Sequence, residues 1–140
     1  MKRLPAVPAG PARVPSRPFL ALLLLVSALF GCSDSGGPGE LTGTVQTPGP
    51  VLGGAVLEVV GKGITGFSGA GATRVFHAPT ETEGTYRVVL LSSSPSGPLQ
   101  FRVAVQDVGA KKPSASLVNL TSGENLPLPA TAEYGVKFTK

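Results

Sequence analysis

Residues 99–106 read LQFRVAVQ, and their alternation decides the fold. Leu99, Phe101, Val103 and Val105 fall on one side, while Gln100, Arg102, Ala104 and Gln106 fall on the other. Period two sustained over eight positions marks a half-buried strand. A second such strand precedes it at residues 85–91, where Tyr86, Val88 and Leu90 share a face opposite Arg87. Working outward, residues 41–46 alternate Leu41, Gly43 and Val45 against Thr42, Thr44 and Gln46. Residues 55–60 form a nearly continuous apolar run, and residues 73–78 form a shorter candidate around Val75 and Phe76. Residues 114–120 form a weaker strand. Residues 132–138 close the chain, with Tyr134, Val136 and Phe138 alternating against Glu133 and Lys137. Turn residues separate these runs, as in Thr47-Pro48-Gly49-Pro50. About seven strands within residues 41–140 predict one all-β domain, an antiparallel sandwich of immunoglobulin-like architecture.

Composition agrees. Nineteen Gly and fourteen Pro among 140 residues argue against helices, since both residues are costly in a helix interior. The apolar fraction of 41% is too high for a disordered chain. A single Cys permits no intrachain disulfide, and one His with two Asp leaves few parts for catalysis.

The charge divides along the chain. The formal net charge is +4, but Lys2, Arg3, Arg13 and Arg17 all precede residue 18 with no acid among them. From Cys32 onward, eight bases face eight acids. The only adjacent basic pair there is Lys111-Lys112, which reads as a solvated turn. Without clustered Lys and Arg to displace counterions, nucleic acid is not an expected partner.

The head of the chain has its own pattern. Residues 19–30 read FLALLLLVSALF, twelve positions without charge, where a membrane-spanning helix needs about 20. Basic residues precede this run, small residues and Gly31-Cys32 follow it, and the composition then shifts to SDSGGPGE. The segment resembles a bacterial lipoprotein signal peptide: Leu29, Gly31 and Cys32 match its lipobox, while Phe30 stands where that pattern has a small or aliphatic residue. The resemblance implies a signal helix over residues 1–31, cleavage between Gly31 and Cys32, and a diacylglyceryl group on the Cys32 thiol. It implies fatty acylation of the new amino terminus as well. Stable anchoring needs two or more chains, which this modification supplies. Ser33 after the Cys implies, by the same resemblance, the outer membrane. Residues 32–40 read as a flexible tether. Met1 is the only Met, and Val14, if read from a GTG codon, would begin a more compact signal.

Few motifs suggest chemistry. Gly61, Gly63 and Gly66 spell G-x-G-x-x-G after a strand, with Glu81 twenty residues on, but no helical period follows to bind a pyrophosphate. A Gly-rich loop joining strands is the expectation. His77 has no second His to share a metal, and no G-x-S-x-G elbow accompanies it for a triad with Asp107. Glu81 and Glu83 lie two apart in a turn-like stretch, without the aromatic platform a glycosidase would use. Neither catalytic residues, a metal nor a cofactor is expected. The alternative is an exported hydrolase using His77 or the Glu81/Glu83 pair, and a third possibility is a passive surface protein.

Two resemblances bear on the domain. LTGTVQTPGPVLGGAVLEVVG at residues 41–61, then TETEGTYRVVLL at 80–91, is similar to transthyretin-like modules of bacterial surface proteins. Residues 54–59 and 97–107 are similar to the early and late strands of cohesin-like sandwiches. Both families imply non-catalytic binding or spacer modules. The expectation is therefore a lipid-anchored envelope module, on the periplasmic or extracellular side, that binds another protein or a polysaccharide.

Overall fold

The computed structural model describes residues 36–140; residues 1–31, read above as a signal peptide, and Cys32 lie outside them. The described residues contain nine strands and no helix: β1 (Gly39–Gln46), β2 (Leu52–Val60), β3 (Ile64–Ala70), β4 (Thr73–Pro79), β5 (Thr85–Ser92), β6 (Gln100–Val105), β7 (Ser114–Ser122), β8 (Pro127–Leu128) and β9 (Gly135–Thr139). They form two antiparallel sheets, ordered β3-β6-β1-β9 and β4-β5-β2-β7-β8. The fold is an antiparallel β-sandwich, as the alternation predicts, with nine strands instead of seven.

The core follows from the pattern. Leu99, Phe101, Val103 and Val105 are all buried, as are Leu41 and Val45 of β1, Leu57 and Val59 of β2, and Val88 and Leu90 of β5. The inner faces of the two sheets meet over these side chains, and period-two strands place alternate residues there. Gly43 lies between the rings of Phe101 and Phe138, which pack edge to face with centroids 5.9 Å apart.

Four expectations need correction. The Gly-rich stretch after β2 is a loop only at residues 61–63; from Ile64 it is strand β3, which crosses to the other sheet. Gly63 takes φ +68°, which a side-chain-bearing residue adopts only at a cost, so the turn between sheets can be very tight. Secondly, β8 was not expected at all, since two residues carry no period. Thirdly, the last strand starts at Gly135 rather than 132, because residues 131–134 close a turn in which Tyr134 N–H donates to Thr131 O. Fourthly, strand pairing begins at Gly39, inside the segment read as a tether: Gly39 and Glu40 pair with Val105 and Ala104. Val108 N–H also donates to Gly37 O.

Candidate binding face

The residues singled out for chemistry do not converge. His77 is exposed on β4, its ring 5.0 Å from that of Phe67. Phe67 in turn packs against Tyr86, whose hydroxyl donates to Ile64 O. This aromatic group closes the seam between the sheets where β3 and β4 run side by side. Asp107 is occupied within its own loop, its Oδ1 accepting from Gly109 N–H at 2.7 Å. Glu81 and Glu83 lie exposed in the turn between β4 and β5. Glu83 borders an open cleft of about 400 Å³ that also holds Lys62, Lys111 and Lys112. Lys112 already donates to Phe138 O at 3.2 Å. Among the described residues, no three His, Cys, Asp or Glu side chains group as metal ligands would.

The outer faces of the sheets differ sharply. On the four-stranded sheet the outward positions are polar: Glu40, Thr42 and Thr44 on β1, Gln100 and Arg102 on β6, and Lys137 on β9. Arg102 and Glu40 lie 4.0 Å apart, and Gln100 donates to Thr44. None of that sheet's strands holds an exposed large apolar residue.

The five-stranded sheet is different. Register places Phe76 beside Val89, and Val89 beside Val56, so an apolar row crosses β4, β5 and β2. Phe76 is 57% exposed. In the next row, Arg74 pairs with Leu91 and Leu91 with Gly54. Leu91 is 46% exposed, and its Cδ2 lies 3.2 Å from where a Cβ on Gly54 would stand. Glycine at that position lets the leucine lie flat across β2. On the other side of the apolar row, Arg87 and Glu58 pair at 3.4 Å. Val60 and Val118 of the same sheet are also exposed. The arrangement is an apolar strip flanked by charge, such as a binding surface presents. Sequence reading missed it because each residue alone passes as an ordinary strand position. Only strand order brings Phe76, Val89 and Val56 together.

Comparison with protein-family models, with curated proteins and with solved structures finds no match.

Proposed function

We infer that this chain is a non-enzymatic cell-envelope lipoprotein whose sandwich binds a protein or surface polymer through the outer face of its five-stranded sheet. In this reading residues 1–31 are removed, Cys32 carries the lipid, and the domain is held at the outer membrane. The observation that carries the binding function is the apolar row of Phe76, Val89 and Val56 with Leu91 beside it, on one face only. Exposed apolar area is costly in water, and a face that keeps it gains free energy when a partner covers it. The residues of the hydrolase alternative are already engaged or exposed separately, His77 against Phe67 and Glu83 beside three lysines, so that reading has no arrangement to build on.

Two measurements test the reading separately. Growing cells fed an alkynyl fatty acid are expected to label the wild type and not Cys32→Ala, with membrane retention lost in the variant; equal labelling removes the anchor from the proposal. For the face, a photo-crosslinking residue at Val56 is expected to give an adduct that Phe76→Ser abolishes. The same residue at Ser68, on the other sheet, is expected to give none. Adducts of equal yield at both positions would refute the binding face.

A further inference from the structure

The four edges of the two sheets are not equally protected. Exposed edges invite pairing with another strand, and proteins blunt them with bulges, short strands, prolines or charges. At β3 the register breaks between Ile64 and Gly66, a bulge at Thr65. The strand β8 is two residues long and begins with Pro127. Five residues make up β9, with Lys137 at its centre. By contrast β4 runs seven residues in unbroken register with β5, and it borders the apolar strip.

The phase of its ladder shows which backbone groups are free. Ser93 N–H donates to Ala72 O at one end, and Thr80 N–H donates to Thr85 O at the other. In an antiparallel pair, hydrogen-bonded and non-bonded positions alternate. The backbone groups of Arg74, Phe76 and Ala78 therefore point to β5, and those of Val75 and His77 point outward. Thr73 at the start is covered, its Oγ1 accepting from Gln100 N–H and its carbonyl facing Gly69. Pro79 at the end has no N–H to offer. The stretch without a ladder partner is short and centred on Phe76, with Phe67 of β3 beside the His77 ring.

We propose that β4 is a docking edge for an extended segment of a partner protein, added antiparallel, with an apolar residue opposite Phe76 and an acid opposite Arg74. This deepens the binding reading by naming the edge and the chemistry of the occupant, and it does not depend on acylation of Cys32. The two recognition positions are both non-bonded pairs of the new ladder, where facing side chains approach most closely. Because the added strand runs antiparallel, the pattern it carries is apolar-x-acid in chain order. Charge selects the occupant: Arg74 has no acid partner among the described residues, whereas Arg87 and Arg102 each have one. A second copy of this chain would be a poor occupant, since β4 reads TRVFHAP and brings no acid to Arg74. Backbone bonds then supply affinity and the Phe76/Arg74 pair supplies selectivity, the usual division in strand addition.

The test uses the purified full chain in detergent micelles and two synthetic peptides of alternating threonine and valine. The peptides differ only in having glutamate or lysine two places after the central valine. Amide exchange of Val75 and His77, followed by NMR, is expected to slow at least threefold with the glutamate peptide and to stay unchanged with the lysine peptide. In Arg74→Glu the preference is expected to reverse. His77→Pro removes an outward N–H without touching a β4–β5 bond, and it is expected to abolish the protection while leaving the β5 amides protected. The proposal is overturned if neither peptide slows exchange, or if both do so alike in wild type and Arg74→Glu. Protection that rises with protein concentration in the absence of peptide would assign the edge to a second copy and overturn it too. Loss of the Val56 adduct in cells leaves this test untouched, so the two readings fail separately.

Discussion

A Cβ added at Gly43 would stand 2.6 Å from two atoms of the Phe101 ring and 3.0 Å from the Phe138 ring. Both rings are buried, and neither is the free end of a flexible chain. Gly43→Ala must therefore displace an aromatic pair in a close-packed interior, and overpacking of this kind costs about 1–3 kcal/mol. A urea titration is expected to show the midpoint falling by the corresponding amount with the slope unchanged. Thr73 gives a different residue-level prediction. It is buried, and its hydroxyl accepts the Gln100 N–H at 3.1 Å. Thr73→Val keeps the shape but strands that donor, at a cost of about 1–3 kcal/mol; a variant as stable as wild type would show that water replaces the bond. The burial of Gly43 was legible from its place between Leu41 and Val45. The polar role of Thr73 was not, because its partner lies in the other sheet.

At the scale of elements, the sequence is legible where alternation is unbroken and loses clarity at each bulge. Of the expected strands, residues 114–120 are the weakest, and there the register with β2 slips between Val56 and Leu57, leaving Val118 unpaired. Ala115 and Leu117 turn inward before the slip, and Leu120 and Ser122 after it. The period-two pattern thus changes phase midway. The bulge at Thr65 in β3 does the same, and with three glycines or alanines beside it the strand reads as a loop. Bulges are local insertions, and the partner strand can run straight if one is removed. Deleting Val118 restores strict alternation from Ala115 to Ser122. The deletion is expected to leave a folded sandwich whose urea midpoint shifts by no more than about 1 kcal/mol equivalent, the scale of an ordinary substitution. A collapse of cooperativity in the same titration would mean that the bulge is needed to fit β7 against β2.

For the molecule as a whole, the sandwich class was legible in the sequence, and the reading of the head of the chain is a proposal that its charge can test. The apolar strip depends on the strand order β4-β5-β2, which no local pattern encodes. Charge, however, can be read directly and gives a test of processing. The chain has twelve Lys and Arg against eight Asp and Glu, and a sequence pI near 9.6. Four of those bases precede residue 18, so removal of residues 1–31 leaves eight against eight. Acylation of the new amino terminus would also remove its positive charge. Isoelectric focusing of the protein extracted from cells is therefore expected to place it near or below neutrality, far from the basic position of the intact chain. In Cys32→Ala the uncleaved chain is expected to focus at the basic position. If the wild type also focuses there, the head is retained, and the four bases beside the apolar run at residues 19–30 belong to the working protein. A neutral band in both forms would mean that cleavage does not need the cysteine, which is the behaviour of a plain secretory signal.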